Sequence, residues 1–231
     1  MIIDLNVDIG EGFSDDDALL EVATSANVCC GEHAGSWELT EETVAKCRER
    51  GIRVGAHPGF NDRENMGRSI PTIERALDSF KSVRVQVQRV VDAFQPEYIK
   101  PHGALYNLVA ATPGATAAHY GLATSCVLDL YERFRLPLML LPVGALAPRL
   151  QKANALISEG FADRGYDDTG RLLHRGEPGA VLNDLSHICE QAVSLAEKVD
   201  SICLHGDTPN CVEIAHAVRK ALTEAGYEVR S

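Results

Sequence analysis

Several features are missing from this 231-residue sequence, and each absence excludes a class of protein. No apolar run approaches the roughly 20 residues that a membrane-spanning helix needs, so we expect no membrane insertion. The N-terminus enters a strand pattern at once, without a secretory signal, and this predicts a cytoplasmic protein. Positive charge is scarce, because 22 Lys and Arg against 33 Asp and Glu give a net charge of −11. Since the basic residues are also scattered, a nucleic-acid surface is not expected.

Several catalytic signatures are missing too. The chain has no G-x-x-x-x-G-K-[ST] phosphate loop and no G-x-G-x-x-G fingerprint, so a standard nucleotide site is not indicated. It has no G-x-S-x-G nucleophile elbow and no H-E-x-x-H metal motif. The cysteines number seven, an odd count, and form no C-x-x-C pair. We therefore expect small buried thiols, and neither a disulfide framework nor a structural zinc site.

Strand patterns and helix patterns alternate along the whole chain. Apolar strand-like runs lie at residues 2–9, 26–30, 52–56, 98–100, 138–143, 156–161 and 201–204. Helix patterns lie at residues 37–50, 71–94, 115–134, 146–153, 185–198 and 209–225. About seven βα units without a linker predict one α/β domain over residues 1–231, with parallel strands and right-handed crossovers. An open doubly wound sheet and a closed barrel both satisfy this pattern.

The polar motifs decide between these two architectures. They stand at the C-terminal ends of six of the seven strand-like runs. An open sheet gathers its site at one switch point, whereas a barrel brings every strand end to one mouth. The sequence therefore favours a (β/α) barrel. Because it has about seven units rather than the usual eight, we expect a distorted, seven-stranded barrel.

The first strand carries polar residues where apolar ones are expected. Side chains alternate along a strand, so Asp4, Asn6 and Asp8 share one face. Burying that face is costly unless its groups have partners. For Asp4, a structural hydrogen-bond network and a functional role are equally good interpretations, whereas Asn6 and Asp8 lie nearer the strand end and favour function. Glu11 follows Gly10 in a loop and suits proton transfer.

Histidines and one lysine mark the next three strand ends. His33 lies in a glycine-rich turn and could be a ligand, a base or a helix cap. His57 stands before Pro58, in a turn that would hold it rigidly as a catalytic or metal-binding group. Lys100 and His102 share one strand face, and a lysine that points into a barrel needs an anionic partner.

The last two site motifs follow the sixth and seventh strands. Asp163 and Arg164 could form a simple turn ion pair or bind substrate. His205 is expected to face the mouth of the barrel. Asp207 or Thr208 could instead cap the following helix. Two long loops, at residues 60–70 and 164–178, follow such motifs and are rich in Gly, Asp and Arg, which is typical of functional loops.

Together these motifs resemble the LamB/YcsF family, in the same order and spacing and over essentially the whole chain. The matching segments are residues 4–12, 24–35, 54–60, 100–107, 161–164, 178–181 and 203–209. The sequence departs from the family around the expected mouth. The loop after Phe13 is shortened, and Glu32 replaces the usual aromatic residue before His33.

The resemblance implies a barrel related to glycoside hydrolases and polysaccharide deacetylases. It also implies cleavage of the small molecule 5-oxo-L-proline to L-glutamate, with ATP as co-substrate, magnesium accompanying ATP, and two partner subunits, B and C. We expect catalytic roles for a first set of residues: Asp8, Glu11, His57, Lys100 and His102. We expect a second set to bind substrate: Asn6, His33, Asp163, Arg164, His205 and Asp207.

Two other functions fit the same residues. A stand-alone metal-dependent deacetylase or amidohydrolase could hold a divalent ion, with Asp8, His57 and His205 as candidate ligands. A non-catalytic subunit could instead hold a substrate for a partner enzyme. Metal analysis and the behaviour of site variants separate these alternatives.

Overall fold

Seven parallel strands close into a barrel in a computed structural model that describes residues 1–110 and 115–231. The barrel strands are β1 (Ile2–Ile9), β2 (Ser25–Cys29), β3 (Arg53–His57), β4 (Tyr98–Ile99), β5 (Leu138–Leu140), β6 (Leu156–Phe161) and β7 (Ser201–His205). The strands pair in sequence order, and β1 pairs with both β2 and β7. This closure confirms the predicted barrel and excludes the open sheet.

Helices follow the strands around the outside. They are α1 (Asp16–Leu19), α2 (Trp37–Glu49), α3 (Ile73–Phe94), α4 (Gly103–Val109), α5 (Ala117–Phe134), α6 (Ala147–Lys152), α7 (Leu185–Ala196) and α8 (Cys211–Glu224). The sequence did not predict α1, α4 or a short final strand, β8 (Glu228–Val229), which pairs with the start of β1. In the described residues, no helix combines the length and the apolar character that crossing a membrane requires.

The alternation predicted for β1 is present. Leu5, Val7 and Ile9 are fully buried in the apolar layer between the barrel and its helices. Asp4 points inward and accepts hydrogen bonds from Thr24 (2.6 Å), Ser25 (2.7 Å) and Ser201. Asp4 therefore has the structural role, as part of a hydroxyl network near the N-terminal end of the barrel.

The barrel is distorted at β4, as its seven-unit pattern predicts. This strand is two residues long and has one paired residue with β5, Ile99 opposite Leu138. On the other side of the barrel, Asp8 on β1 lies level with Asn27 on β2 and His205 on β7. This register brings side chains from distant segments into one layer just below the mouth.

Candidate active site

A cleft opens at the carboxyl ends of the strands. It encloses about 720 Å³, including its open mouth. The residues that line it are Asp8, His57, Arg68, Lys100, Pro101, His102, Gly103, Tyr106, Asn107, Phe161, Arg164, Leu172, Leu173, His174, Arg175 and His205. Six of the strand-end residues predicted for the site lie in this lining: Asp8, His57, Lys100, His102, Arg164 and His205.

Lys100 forms the charged centre of the cleft floor and is only 1% exposed. Its Nζ donates to Asp8 Oδ1 at 2.9 Å and to Asn6 Oδ1 at 3.2 Å. Burial disfavours both charges, but their attraction outweighs it. The attraction between the two charges holds the pKa of Asp8 well below its usual range and raises the pKa of Lys100. Asn6 thus positions the lysine from below rather than lining the cleft.

A second carboxylate, on Glu159, lies beside this lysine. Lys100 Nζ is 3.0 Å from Glu159 Oε2, and the glutamate is completely buried. Neither Glu159 oxygen has a well-aligned hydrogen bond among the described residues, and the buried hydroxyl of Tyr106 has none either. Burial and the nearby Glu159 raise the pKa of Tyr106 well above its usual range. Beneath the cleft, Lys100 thus neutralises two carboxylates, those of Asp8 and Glu159.

His57 and His102 stand side by side at the ends of β3 and β4. His57 Nδ1 donates to the carbonyl of Lys100 (2.8 Å), and His102 Nε2 donates to the carbonyl of Met66 (2.8 Å). Met66 has a left-handed φ of 52° and is followed by Gly67 at 66°, a backbone turn that aims this carbonyl at the ring. Burial and the rings of His33 and His57 lower the pKa of His102 well below its usual range.

His33 stacks flat on His102 behind the cleft lining. Their ring centroids are 3.9 Å apart, with an angle of 3° between the planes. Gly59 allows this position, since a Cβ there would lie 2.5 Å from His33 Nδ1. His33 Nε2 lies 3.2 Å from Glu11 Oε1 and 3.3 Å from Cys29 Sγ. Burial opposes protonation, but these two partners raise the pKa of His33 to about 9.

His205 is held by an aspartate in the β6–α7 loop. Its Nδ1 donates to Asp163 Oδ1 at 2.9 Å, and Thr208 donates to Asp163 Oδ2 at 2.9 Å. Burial opposes ionisation of Asp163, but His205 lowers its pKa below the usual value. The ring of His205 also stacks on Phe161, with centroids 5.2 Å apart. Asp163 is therefore positioned to orient the histidine, and it lies outside the cleft lining.

Arginines surround the mouth. Arg68 lies 2.6 Å from Asp207, and Arg175 lies 3.4 Å from the same carboxylate. Arg164 donates to the carbonyls of Ala180 and Leu173, both at 2.8 Å. Burial and the nearby Arg175 lower the pKa of Arg164 to about 10.

The last motif differs from its predicted local structure. Helix α8 begins at Cys211 with Asn210 as its N-cap. The interpretation of Asp207 or Thr208 as the helix cap is therefore wrong, because both side chains are bound elsewhere. A turn ion pair between Asp163 and Arg164, one of the two interpretations of this motif, is also absent from the contacts of the described residues, since Asp163 binds His205 and Thr208.

Several cleft residues escaped prediction. Arg68 and Arg175 lie in the two long loops, whose length and composition signalled function without identifying the residue. Glu159, which is buried beneath the cleft, is a charged residue within an apolar strand run, the same kind of signal that Asp8 and Lys100 carry. His174 is exposed yet lines the cleft, and Cys203, expected to be a plain buried thiol, receives a contact from Lys100 at 3.0 Å.

Two groups of side chains in the described residues could hold a metal ion. One consists of Glu11, His33, His57 and His102, and the other of Asp8, Cys203 and His205. Within each group the ligand atoms lie within 4.8 Å of one another. The structure thus places His57 and His205, two of the three ligand candidates from the sequence, in different groups.

The fold defines a broad class of (β/α) barrels that includes carbohydrate-active enzymes. A family 4 carbohydrate esterase from Streptomyces lividans superposes with a TM-score of 0.53 at 11% identity, covering 99% of this chain and 91% of its own. A GH18 chitinase, ChiB, from Flavobacterium johnsoniae superposes with a TM-score of 0.51 at 10% identity, covering 99% and 97%. At such low identity these similarities show the shared fold alone.

Within this class the chain belongs to the LamB/YcsF family, whose model matches residues 3–231. A relative from Streptomyces avermitilis, named as the A subunit of 5-oxoprolinase, is 37% identical, with 99% of this chain and 98% of the relative covered. A relative of the same name from Mycobacterium avium is also 37% identical, with the same coverage. The crystal structure of a lactam utilization protein from Thermus thermophilus superposes with a TM-score of 0.78 at 29% identity, covering 100% and 99%.

Proposed function

We propose that this chain is the A subunit of an ATP-dependent 5-oxoprolinase, which opens 5-oxo-L-proline to L-glutamate together with subunits B and C. The names of the relatives supply the substrate and the expectation of a complex. The solved relative, named for lactam utilization, is consistent with a cyclic amide as substrate. The chemistry must then be supported by the cleft itself.

The distribution of charge around the cleft carries this proposal. The lining contains four cationic side chains, Arg68, Lys100, Arg164 and Arg175, and one carboxylate, Asp8. Asp207 and Glu159 contact these cations from outside the lining, so four cations stand against three carboxylates. This local excess of positive charge occurs in a chain with a net charge of −11. Such a cleft attracts anions, and both 5-oxoproline and the phosphates of ATP are anions.

The proposed reaction proceeds by activation of the lactam. The carbonyl oxygen attacks the γ-phosphorus of ATP, an O–P bond forms, and ADP leaves. Water then adds to the activated carbon and gives a proton to a base. The C–N bond breaks as the ring nitrogen takes a proton and the new hydroxyl group loses its remaining proton, which leaves a γ-glutamyl phosphate. A second water cleaves this acyl phosphate to glutamate and inorganic phosphate.

The cleft offers a group for each of these steps. Lys100 is placed to stabilise negative charge that develops on the activated oxygen. Asp8 or Glu11 can accept the proton of the attacking water. His205, oriented by Asp163, can protonate the ring nitrogen. Phe161, Leu172 and Leu173 provide apolar surface for the lactam ring.

ATP requires a binding mode that does not use a phosphate loop. We propose that the arginines at the mouth contact its phosphates, that magnesium accompanies the nucleotide, and that subunits B and C complete the site. Arg68 and Arg175 share Asp207, so one of them can turn toward a phosphate while the other keeps the carboxylate neutralised.

The test is reconstitution with the partner subunits. The chain is assayed for glutamate release from 5-oxoproline, with and without ATP and with and without B and C. We expect release only from the complete mixture. Release by the chain alone without ATP would contradict the proposal and favour the stand-alone amidohydrolase.

Variants test the assigned residues in the complete enzyme. Asp8→Asn is expected to lower kcat by about 100-fold or more, in the range found for general base catalysis. Arg175→Ala is expected to raise the KM for 5-oxoproline or ATP. Lys81→Met, on the exposed face of α3, is the matched surface control. If both cleft variants kept the full rate, these roles would be wrong.

A further inference from the structure

The hydrogen bonds of His57 and His102 fix which nitrogen of each ring carries hydrogen. A backbone carbonyl can only accept, so His57 Nδ1 and His102 Nε2 must both be protonated to bond to the carbonyls of Lys100 and Met66. In the neutral rings, the other nitrogens, His57 Nε2 and His102 Nδ1, therefore carry lone pairs.

These two nitrogens face each other at 2.9 Å. Two lone pairs at that distance repel unless a positive species lies between them. Two carboxylate oxygens are also close, because Asp8 Oδ2 lies 3.5 Å from His57 Nε2 and Glu11 Oε1 lies 3.5 Å from His102 Nδ1. Glu11, His57 and His102 offer ligand atoms within 4.8 Å of one another, and Asp8 adjoins this set through His57.

The spacing of these atoms suits a metal ion. Metal–nitrogen and metal–oxygen bonds of about 2.1 Å put neighbouring ligand atoms about 3.0 Å apart at right angles and about 3.4 Å apart at the tetrahedral angle. The three measured separations run from 2.9 to 3.5 Å and span these values. Small side-chain adjustments would therefore be enough for coordination.

We propose that His57 Nε2, His102 Nδ1, Glu11 Oε1 and Asp8 Oδ2 form a binding site for one divalent transition-metal ion, of the zinc or manganese type. Two imidazoles with two carboxylates suit these ions, whereas magnesium and calcium prefer oxygen ligands alone.

The surroundings of the four ligands support this assignment. Histidines that bind metals almost always donate their second nitrogen to a carbonyl or carboxylate, which fixes the ring, and both rings here do so. Asp8 is held through its other oxygen by Lys100 and by Asn27, at 2.9 and 2.7 Å. His33 Nε2 lies within hydrogen-bonding distance of Glu11. Each ligand is thus already oriented by a neighbour.

The proposed ion would face the cleft, since Asp8, His57 and His102 all line it. A divalent ion there lowers the pKa of bound water and polarises a carbonyl oxygen. This consequence rests on the proposed lactam opening, whereas occupancy of the site does not. Asp8, Glu11, His57 and His102, for which the sequence predicted catalytic roles, would then act as metal ligands, which was the alternative role considered for Asp8 and His57.

The experiment measures metal binding by the chain alone, without substrate or partners. Protein stripped with a chelator is titrated with Zn²⁺, Mn²⁺ and Mg²⁺ by calorimetry, and with Co²⁺ by its visible absorption. We expect one transition-metal ion per chain, absorption typical of nitrogen and oxygen ligands, and much weaker Mg²⁺ binding. Absence of stoichiometric transition-metal binding would overturn the inference and indicate that a proton lies between the two rings.

Variants locate the ion. His57→Gln and His102→Gln should each weaken binding by at least about 100-fold, while the exposed-histidine control His216→Ala should not change it. Circular dichroism checks that each variant folds, and Glu11→Gln provides a third variant on a separate element. Unchanged affinity in folded ligand variants would place the ion elsewhere and refute the site. Metal binding by the chain, together with no glutamate release from the complete mixture of chain, ATP and subunits B and C, would refute only the proposed function.

Discussion

Lys100 is the residue whose charge the barrel interior depends on most. It is in contact with two buried carboxylates, those of Asp8 and Glu159. Removing one partner of a buried charge network leaves the others uncompensated, at a cost of about 3–5 kcal/mol. We therefore expect Lys100→Met to lower the free energy of unfolding by about that amount, measured by urea denaturation.

The comparison for this variant is Lys81→Met, whose lysine is 66% exposed and pairs only with Asp78. That change should stay within about 0.5 kcal/mol of the parent. The variant Glu159→Gln removes the other member of the Lys100–Glu159 ion pair, a carboxylate that has no well-aligned hydrogen bond. It should lower the free energy of unfolding by less than the loss of the lysine does. Equal stability of the parent and Lys100→Met would contradict this dependence of the two carboxylates on Lys100.

Asp16 makes stability depend on pH. Burial and the nearby Glu11 and Asp17 raise its pKa to about 6, although it accepts a hydrogen bond from Gly10 N–H at 2.8 Å. The folded state therefore binds a proton more tightly than the unfolded chain does. Its contribution to stability is present below pH about 4 and is lost as pH rises to about 6.

Asp16→Asn should remove this loss and keep an acceptor for Gly10. After discounting for partial exposure, we expect a gain of about 1 kcal/mol at pH 7 and no gain at pH 4. Urea denaturation at pH 4, 5, 6 and 7 measures both curves. A constant difference between the two proteins at all four values would show that charge is not the cause.

At the scale of elements, the loop after β3 shapes one side of the cleft. Within it Arg63 donates to the carbonyl of Gly31 at 2.9 Å and to that of Gly35 at 2.6 Å. These bonds fasten residues 60–70 to the loop after β2. The same loop supplies the Met66 carbonyl bound by His102 and also the rim residue Arg68.

Arg63→Ala should loosen this loop without disturbing the barrel. Each lost hydrogen bond is worth about 1 kcal/mol, so we expect the KM for 5-oxoproline to rise about 3- to 10-fold. Since two hydrogen bonds are lost, urea stability should fall by no more than about 2 kcal/mol. Arg75→Ala, at an exposed position on α3, is the control and should change neither quantity. A loss of stability with an unchanged KM would mean that the loop supports the fold alone.

The sequence predicted all seven barrel strands, including the short β4 and β5, and missed α1, α4 and β8. Strand β1 and helix α3, of 8 and 22 residues, show a clear alternation and a clear helical period. Strand β8 has two residues, too short for any period, whereas the equally short β4 was predicted from the apolar run at residues 98–100. The barrel holds β4 in place by tertiary contacts, as in the 2.7 Å bond from Tyr98 to Asn27.

The site shows the same division. Asp8 and Lys100 could be predicted because a charged side chain that faces the interior of a barrel usually either pairs with an opposite charge or binds a ligand. Glu159 carried the same signal two residues before Phe161, which lies on the same face of β6. The pairing of Arg68 with Asp207 joins residues 139 apart through two loops, and no local pattern encodes such a contact.

At the scale of the whole molecule, closure of the barrel gathers cations that are scattered in the sequence. Arg68, Lys100, Arg164 and Arg175 come from three different strand-to-helix connections and surround one cleft. The rest of the chain is acidic, so the cleft and the whole molecule have opposite electrostatic characters. Either the local charge of the cleft or the net charge of the molecule could govern the rate of substrate capture. The effect of salt on that rate distinguishes these two cases.

If the cationic side chains around the cleft govern substrate capture, added salt must slow the capture of an anionic substrate. We expect kcat/KM for 5-oxoproline, measured in the complete enzyme at saturating ATP, to fall about 3- to 10-fold between 20 and 200 mM NaCl, as the Debye length shrinks from about 20 to about 7 Å. If the net charge governed, screening would remove repulsion and the rate would rise. The double variant Arg68→Ala/Arg175→Ala should flatten the dependence, whereas Arg75→Ala together with Lys81→Met should leave it unchanged. A rise with salt in the parent enzyme would contradict the assignment of this cleft as the anion-binding site.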